Sequence, residues 1–533
     1  MIIGIDFGTC FSSVAFMNGL IPVTDYIKDP NKTGIPSLFM YSRNSHKELY
    51  GYDCTTTEAV INSADVVRYI KRTIRENPNN LNANVSSGGK NFTINEIVKK
   101  YLMYLIAQAK NAAIQSGEFA NTNIEGVTIT APVGISEGQM TATDYNQLLV
   151  NTITEITGLS QDKVNVLQEP VSAAISYLYS EDIKRKYDKK QTILVFDLGG
   201  GTLDVTVVEH NPSTMEYNIK AKEGDLKLGG NDWDKALGNA VLKKIGITQS
   251  FTDEEEQSRF QNEIVKLKHQ LTLSDQSYIG FKFNKKLQYD DFSRTEFESA
   301  TKNLLDRAIA VTKKAVSSYS SLGVSAIDKI ILVGGSCNMP QIYNRMLSEF
   351  PQLGESRIIT HDPSKAIAKG AAVYAKMGAR GIGGTGNTNK KIVVHDIASH
   401  TYGFGSRRSE DKKDMIYNLL FKGTPFGDSS KIVVKSESSF VAIEDTQTRI
   451  GFTVYESDGK KGLGSNANWM DYGSGEDKNG MSVTVQIPPD YLGKASSYSC
   501  WVSFELDQSG VLEIIITDNA GNRVGYDKKQ ITL

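Results

Sequence analysis

The 533-residue sequence predicts an α/β domain over residues 1–377, a linker over 378–394 and an all-β sandwich domain over 395–533. Three observations predict this organisation. In the first domain, short apolar runs alternate with longer amphipathic segments. The linker is rich in glycine and polar residues and has no periodicity. After Thr401, short runs of alternating polarity are separated by Gly, Asp, Asn and Ser.

Strands of the first domain are predicted at short apolar runs, and helices where apolar residues recur every three to four positions. The predicted strands include Gly126–Thr130, Thr192–Phe196 and Lys329–Val333. The predicted helices include Glu96–Ser116, Asp253–Leu273 and Glu296–Ser320. Such alternation is typical of one α/β domain or a pair of them.

Strands of the second domain are predicted at Lys431–Lys435, Arg449–Tyr455, Ser482–Ile487, Trp501–Leu506 and Val511–Thr517. The turn residues Asp507–Gly510 between the last two strands predict a hairpin. In the linker, Gly381-x-Gly383-x-x-Gly386 matches the dinucleotide-binding fingerprint. It follows a helical pattern and opens no helix, so we interpret it as linker.

Composition excludes several classes of partner and site. Lys+Arg 59 and Asp+Glu 61 leave a formal net charge of −2, so there is no basic excess for nucleic acid or an anionic membrane. The start lacks a signal peptide, and no apolar run approaches the roughly 18 residues of a spanning helix. The four cysteines form no Cys-x-x-Cys and the six histidines form no His-x-x-x-His, which argues against disulfides and zinc. We therefore expect a cytoplasmic monomer that binds neither nucleic acid nor membrane.

Two hairpins with the same chemical plan lie 191 residues apart. One strand ends at Asp6, which Gly8 and Thr9 follow, and another ends at Asp197, which three glycines and Thr202 follow. The glycines let backbone N–H groups approach phosphate oxygens, and the carboxylate faces Mg²⁺ or its water shell. A single hairpin of this kind is more typical of a polar turn. Their repetition predicts a duplicated fold with two facing halves.

Two further elements strengthen this interpretation. The strand Lys329–Val333 is followed by Gly334-Gly335-Ser336, where a flat nucleoside could lie on the backbone. Another apolar segment ends at Glu169, which places a third carboxylate at a strand end. The sequence contains no Gly-x-x-x-x-Gly-Lys-[Ser/Thr] loop, which excludes a P-loop enzyme.

At five motifs the sequence resembles the nucleotide-binding domain of the heat-shock protein 70 chaperone family, within the actin and sugar-kinase superfamily. The motifs are IIGIDFGTCFSS, ILVFDLGGGTLDVTVVE, VNVLQEPVSAAISYL, KLGGNDWD and IILVGGSCNMP. Two later segments, IVVHDIASHTYG and WVSFELDQSGVLEIIITDNAGN, are similar to the family's interdomain linker and the last hairpin of its β substrate-binding domain. The resemblance implies a two-lobed actin-like ATPase domain with a ribonuclease H-like duplicated fold, followed by a β sandwich. After that hairpin the sequence reaches Leu533 without a counterpart of the family's helical lid.

The resemblance implies an ATP-dependent chaperone that hydrolyses ATP to ADP and phosphate, with Mg²⁺, to control the binding of extended apolar peptides. The implied catalytic residues are Lys71, Glu169, Asp197 and Thr202. The implied magnesium residues, acting largely through water, are Asp6, Asp197 and Glu169. The implied nucleotide-binding residues are Gly8, Thr9, Cys10, Gly199, Gly200, Gly201, Thr202, Gly229, Gly230, Lys268, Thr272, Gly334, Gly335, Ser336 and Asn338. Thr202 and Asp204 are also implied to hold a monovalent cation, such as K⁺, or the attacking water.

The same resemblance implies allosteric and peptide-binding residues. Pro132 matches the family's nucleotide-sensing proline, and Asp396 matches the linker aspartate. Ile450 lies in a stretch that resembles the lining of the family's peptide pocket, so it is predicted as a peptide contact; a core position is the alternative. The implied partners are unfolded or extended peptides, a nucleotide exchange factor and a J-domain co-chaperone.

Departures from the family pattern lie in the nucleotide site. Cys10 replaces a second threonine and loses its hydroxyl. Asn338 and His269 replace two arginines that flank the adenine in the family. Because guanidinium planes stack on bases, we expect weaker nucleotide binding than is usual for the family.

Other departures from the family pattern lie at positions implied in allostery and in co-chaperone binding. Met140 aligns with the arginine partner of the proline switch, and Asn165 with the arginine that receives a J-domain. His395 occupies an apolar position of the linker. These replacements count against coupling to the two co-chaperones.

Two other functions fit part of the sequence. One is an actin-superfamily kinase with a β docking domain, and the other is an inactive nucleotide-sensing scaffold. Sugar kinases activate a hydroxyl with an aspartate base, whereas Lys71 and Glu169 suit a water nucleophile. The chaperone ATPase is therefore the favoured interpretation.

Overall fold

A computed structural model describes residues 1–19, 21–24, 34–55, 65–77, 80–117, 123–132, 142–183, 189–320, 323–378, 391–398, 400–408, 411–426, 431–457, 468–471, 476–507 and 511–530. The chain forms two compact units, which are described separately. One comprises Met1–Met140 and Asp144–Val394, and the other is formed mainly by His395–Leu533. None of the helices in the described ranges is long and apolar enough to cross a bilayer.

The elements before the second unit alternate between strand and helix. In chain order the strands are β1 (Ile2–Asp6), β2 (Phe11–Asn18), β3 (Ile21–Thr24), β4 (Ile35–Pro36), β5 (Phe39–Tyr41), β6 (Glu48–Tyr50), β7 (Val66–Val67), β8 (Asn84–Ser87), β9 (Lys90–Thr93), β10 (Gly126–Ala131), β11 (Val164–Gln168), β12 (Gln191–Leu198), β13 (Leu203–Asn211), β14 (Glu216–Asp225), β15 (Gln276–Phe283), β16 (Lys286–Ser293), β17 (Lys329–Val333), β18 (Ile358–Thr360) and β19 (Val393–His395). The α-helices are α1 (Ile70–Glu76), α2 (Ile94–Gln115), α3 (Ala142–Thr157), α4 (Glu169–Ile183), α5 (Gly230–Lys244), α6 (Glu254–Leu273), α7 (Arg294–Tyr319), α8 (Pro340–Glu349) and α9 (Ala366–Met377).

Two sheets of the first unit share one strand order. The first runs β11-β10-β1-β2-β3, with β4 also paired to β2, and the second runs β18-β17-β12-β13-β14, with β19 added beside β14. In each sheet, β1 or β12 begins an antiparallel meander and also pairs in parallel with a later strand, β10 or β17. That later strand pairs in parallel with the strand at the edge of the sheet, β11 or β18. The repeated order places Asp6 and Asp197 at the ends of corresponding strands.

Each of these sheets contributes to its own apolar core. The first core joins β1 to α2 through buried side chains such as Ile5 and Tyr101. The second joins β12 to α5 through Phe196 and Trp233. Helix α9 packs so closely on β1 that a Cβ on Gly4 would overlap its backbone. Glycine is therefore required where this helix crosses the strand ahead of Asp6.

The predicted helices are present, and their caps explain where they begin. Thr93 and Glu96 form a capping box before α2, which starts at Ile94, two residues ahead of the predicted start. Ser293 and Glu296 form the same motif before α7, which starts at Arg294. The capping glutamate is thus the third residue of each helix, whereas the sequence pattern predicts that each helix begins at this glutamate.

The second unit is made of two antiparallel sheets. Its strands are β20 (Thr401–Arg407), β21 (Asp414–Leu420), β22 (Lys431–Lys435), β23 (Arg449–Ser457), β24 (Trp469–Met470), β25 (Glu476–Gln486), β26 (Cys500–Asp507), β27 (Val511–Asp518) and β28 (Arg523–Gln530). One sheet runs β24-β21-β20-β23-β25 and the other β22-β26-β27-β28. Both contribute to one core, in which the Phe404 ring lies 5.6 Å from that of Phe452 and 6.3 Å from that of Phe504. Part of the predicted Asp507–Gly510 turn lies outside the described residues.

Candidate nucleotide site

The turns after β1 and β12 meet each other. The Cys10 thiol donates to the side-chain oxygen of Asn231 on α5 over 3.2 Å. A Cβ on Gly200 would lie 2.5 Å from Cys10 Sγ, and one on Gly201 would lie 3.3 Å from the Thr9 methyl group. The two glycine-bearing turns therefore form one cradle, in which backbone rather than side chains lines the space.

The second turn is closed by its own hydrogen bonds and by α5. Gly199 N–H donates to the Thr202 carbonyl over 3.0 Å, and Gly230 N–H donates to the Gly199 carbonyl over 2.9 Å. A Cβ on Gly229 would lie 2.5 Å from the backbone nitrogen of Gly201. Glycine is thus the residue that allows the start of α5 to approach this turn.

A buried ion pair lies with these turns. Lys71, on α1, donates to the carboxylate of Glu169, the first residue of α4. The two residues are only 3 % and 7 % exposed. The packing of α4 on α9 positions Glu169: Ser172 donates to the Ile367 carbonyl over 2.6 Å, and a Cβ on Gly370 would overlap Ser172.

Burial and mutual repulsion shift the carboxylates of the site. Burial, and next the negative charge of Glu169, raise the pKa of Asp6 to about 7 and that of Asp204 to about 7. The same two causes raise the pKa of Asp197 well above its usual range. Burial, the largest single effect, would lower the pKa of Lys71, but Glu169, Tyr145 and Asp6 together outweigh it and the pKa is raised. The site thus concentrates more negative charge than Lys71 can offset.

Thr202 and Asp204 lie beside the second aspartate. Asp204 is the residue opposite Asp197 in the antiparallel pair β12–β13. The Thr202 hydroxyl donates to the Asp204 carboxylate over 3.4 Å. Among the described residues, no three His, Cys, Asp or Glu side chains are arranged to bind one metal ion directly.

The residues predicted to bind the nucleoside lie on α5, on α6 and in the turn after β17. Lys268 pairs with Asp234 over 2.8 Å and donates to the Gly230 carbonyl over 3.1 Å. The Ser336 hydroxyl donates to the Gly199 carbonyl over 2.9 Å. These bonds link the three segments to the cradle formed by the two turns.

The remaining predicted residues lie around this turn. Gly334 has a φ of 83°, and a Cβ there would lie 2.6 Å from an oxygen of the Asp197 carboxylate. Gly335 and Asn338 are exposed, and the Asn338 amide donates to the Gly335 carbonyl over 3.0 Å. On α6, the Thr272 hydroxyl donates to the Lys268 carbonyl over 2.9 Å. Burial lowers the pKa of His269.

Other predicted residues lie on other segments of the chain. Pro132 follows β10 and is partly buried, whereas its expected partner Met140 lies outside the described residues. Asn165 is buried on β11, opposite Thr128. In the second unit, the Asp396 carbonyl accepts from the Phe426 N–H over 2.9 Å. The glycines of the fingerprint in the linker also lie outside the described residues.

Ile450 lies on β23, in the second unit. Its side chain is buried in the core of that unit, whereas its neighbours Arg449 and Gly451 are exposed. Alternation along β23 sends every second side chain to the core, which fits the core alternative for Ile450. The peptide contact at Ile450 stays a prediction.

Sequence reasoning missed two residues of the site. Asp234, the partner of Lys268, is part of the KLGGNDWD motif and could have been singled out there. Tyr145, on α3, is buried among charged residues of the site, and nothing in its local sequence marks it.

Comparisons with known proteins agree with this geometry. The family model described as "Hsp70 protein" matches residues 2–524. The chaperone protein DnaK of Halobacterium salinarum is 25 % identical over 531 residues, which cover 98 % of this chain and 74 % of the relative. The stromal 70 kDa heat shock-related protein, chloroplastic, of Pisum sativum is 28 % identical over 558 residues, which cover 99 % of this chain and 69 % of the relative. The kinase alternative is not favoured by these relatives. The chain therefore belongs to the heat-shock protein 70 family of ATP-hydrolysing molecular chaperones.

Proposed function

We propose that ATP is hydrolysed in a cleft of a two-lobed, actin-like first unit, at Lys71, Glu169, Asp197 and Thr202. The observation that carries this proposal is the buried Lys71–Glu169 ion pair, whose charges act on the buried carboxylates of Asp6 and Asp197. A buried lysine paired with a carboxylate has a perturbed electrostatic environment, as functional groups commonly do. The second unit would then bind the extended peptide segments of client proteins.

Each residue has a role that phosphoryl transfer requires. Phosphoryl transfer depends mainly on positioning and on neutralising charge at the equatorial oxygens. The backbone N–H groups of residues 8–10 and 200–202, in the two turns, would hold the phosphates. Lys71 would supply positive charge to the γ-phosphate, and Glu169 would orient the attacking water. Asp197 and Thr202 would line the side of the phosphate site opposite Asp6.

The site also fits Mg²⁺ held largely through water. The carboxylates of Asp6, Asp197 and Glu169 would hold its water shell. Burial, and next the negative charge of Glu169, raise the pKa values of the two aspartates, and a cation would offset that negative charge. When bound, Mg²⁺ would neutralise charge on the phosphates. A monovalent cation such as K⁺ would suit the oxygens of Thr202 and Asp204.

The nucleoside would lie between α6 and the turn after β17. Lys268 and Thr272 lie on α6, and Gly334, Gly335 and Ser336 form the turn that links to the cradle. Gly335 offers open space for a flat base, since a Cβ there would meet nothing. Gly229, Gly230 and Asn338 complete the binding set.

We also propose the partners and the compartment. The four cysteines Cys10, Cys54, Cys337 and Cys500 are all free, which suits a reducing compartment such as the cytoplasm. A monomer is proposed, with a nucleotide exchange factor and a J-domain protein as candidate co-chaperones. Nucleotide-dependent coupling between the units would involve Pro132 and Asp396.

The decisive experiment is Lys71→Ala. It should retain ATP binding and lose hydrolysis, because it removes charge that acts mainly in the transition state. Steady-state ATPase and ATP titration measure the two effects separately. Lys100→Ala is the matched control, since Lys100 forms a 2.8 Å ion pair with Glu48 away from the site. Unchanged turnover in Lys71→Ala would reject the assignment.

A further inference from the structure

Helix α3 contributes a tyrosine hydroxyl that the assignment above does not use. Tyr145 is 1 % exposed, and its ring belongs to the core that also includes Leu149 and Ile153 of the same helix. Within the described part of the chain, its hydroxyl has no hydrogen-bond partner. A buried hydroxyl without a partner is unfavourable, so another arrangement of nearby side chains is expected to satisfy it.

The charged groups that surround this hydroxyl are those of the proposed catalytic pair. Burial raises the pKa of Tyr145 to about 12, and the ions that act on it are Lys71, Glu169 and Arg75. The effect is mutual, because Tyr145 is among the groups that raise the pKa of Lys71. Ile70 and Ile74, which lie on either side of Lys71 along α1, belong to the same buried core as the Tyr145 ring, so the hydroxyl shares a buried region with the ion pair.

The Glu169 carboxylate requires a hydrogen-bond donor, and the Tyr145 hydroxyl can supply one. Glu169 accepts a hydrogen bond from Lys71. If Lys71 turns toward the γ-phosphate, the buried carboxylate loses this donor at the step in which it must orient water. A buried charge without a donor is strongly disfavoured, and a phenol O–H is a good donor to a carboxylate.

We propose that Tyr145 is a positioning residue for ATP hydrolysis, whose hydroxyl donates to the Glu169 carboxylate when Lys71 turns to the γ-phosphate. The hydroxyl keeps the carboxylate oriented toward the attacking water without touching the nucleotide. This inference rests on the proposed roles of Lys71 and Glu169. It adds a residue from a helix that bears none of the nucleotide-binding motifs.

The test is Tyr145→Phe in the full chain, because phenylalanine keeps the ring in the core and removes only the hydroxyl. We expect kcat for ATP hydrolysis to fall about tenfold, equivalent to about 1.4 kcal/mol. The KM for ATP, the affinity for ATP and ADP and the midpoint of thermal unfolding should stay at parental values. Tyr217→Phe, which removes another buried tyrosine hydroxyl of the first unit, is the matched control and should leave kcat unchanged.

A second measurement separates positioning from a structural role. Single-turnover hydrolysis is followed over hours in Glu169→Ala with and without Tyr145→Phe. If Tyr145 acts through the Glu169 carboxylate, the second substitution should change the residual rate by less than about twofold. The inference is overturned if Tyr145→Phe lowers the hydrolysis rate about tenfold in both backgrounds. It is also overturned if Tyr145→Phe alone has a kcat within about twofold of the parent. If Lys71→Ala hydrolyses ATP at the parental rate, the proposed site itself is overturned. If Lys71→Ala loses hydrolysis but Tyr145→Phe keeps the parental rate, only the role of Tyr145 is overturned.

Discussion

The Cys10 thiol donates to the Asn231 side-chain oxygen over 3.2 Å, and this contact joins the turn after β1 to the second residue of α5. Burial raises the pKa of Cys10 to about 11, so the thiol stays protonated and can act as a donor. The sulfur also lies against Gly200. Cys10 therefore connects the turn after β1 both to α5 and to the turn after β12.

Gly200→Ala is predicted to weaken ATP binding. The new Cβ would lie 2.5 Å from Cys10 Sγ, so one of the two turns must move and the cradle loses its geometry. We expect an affinity loss of about tenfold or more, measured by calorimetric titration of ATP, because overpacking at such contacts costs about 1–3 kcal/mol.

The double variant Gly200→Ala/Cys10→Ala is the matched test of this cause. It removes the sulfur and should recover part of the lost affinity. Cys10→Ala alone controls for the loss of the bond to Asn231. If the double variant binds ATP no better than Gly200→Ala, the contact with Cys10 is not the cause.

Asn338→Arg is predicted to tighten ATP and ADP alike. Asn338 is exposed and its amide bonds only locally, to the Gly335 carbonyl, so an arginine could extend over the open surface at Gly335. A stacking contact worth roughly 1 kcal/mol gives up to about tenfold in affinity. Calorimetry with both nucleotides measures the change.

Asn344→Arg is the control, because it adds the same charge at an exposed position of α8. Equal tightening in both variants would mean that net charge, rather than stacking, is responsible. Unchanged or weaker binding in Asn338→Arg would contradict the prediction.

Much of this site was predictable from the sequence, and there are physical reasons why the remaining residues were not. Asp6 and Asp197 stand in short motifs whose glycines and carboxylates specify the turn locally. Tyr145 is brought to the site only by the packing of α3, which no local pattern encodes. The alternation along β23 marks Ile450 as belonging to one face but does not say which face is buried.

The hairpin β15–β16 shows another limit. Its strands alternate clearly, with Ile279, Phe281 and Phe283 buried. The turn between them, however, places Asn284 and Lys285 at φ values of 50° and 65° instead of using the glycine that usually signals such a turn. The sequence therefore lacks the turn signal that would have identified the hairpin.

Glu296→Ala is predicted to destabilise the first unit in a pH-dependent way. Glu296 accepts from the Ser293 N–H over 2.8 Å and pairs with Lys244 over 2.9 Å; these bonds, the Ser293 one first, lower its pKa from 4.5 to about 2. Because the folded pKa lies below the unfolded one, the stabilisation is complete at neutral pH and is lost as the pH falls from about 4.5 toward 2.

We expect Glu296→Ala to lower the free energy of unfolding by about 1 kcal/mol near neutral pH, the usual contribution of a helix cap. Urea denaturation should show this difference shrinking at about pH 3. Glu298→Ala, two residues further along the same helix, is the control for charge. A difference between parent and Glu296→Ala that is independent of pH would exclude the ionised carboxylate as its source.

The last prediction concerns peptide binding by the second unit. Val433 is 60 % exposed on β22, which lies at the edge of the four-stranded sheet. An exposed edge offers unpaired backbone groups to an extended peptide, and an apolar side chain there offers a contact for alternate residues. Val433→Ser should therefore weaken binding of an apolar peptide about fivefold, since a partly buried valine contributes about 1 kcal/mol.

Fluorescence anisotropy of the full chain with a labelled apolar peptide measures this effect. Leu492→Ser, which removes another apolar side chain that is 52 % exposed, is the control and should leave affinity unchanged. Ile450→Val tests the core assignment: it should lower the free energy of unfolding by about 0.5–1.5 kcal/mol and leave peptide affinity unchanged. Weaker peptide binding in Ile450→Val, with parental affinity in Val433→Ser, would move the peptide site away from the β22 edge and toward β23.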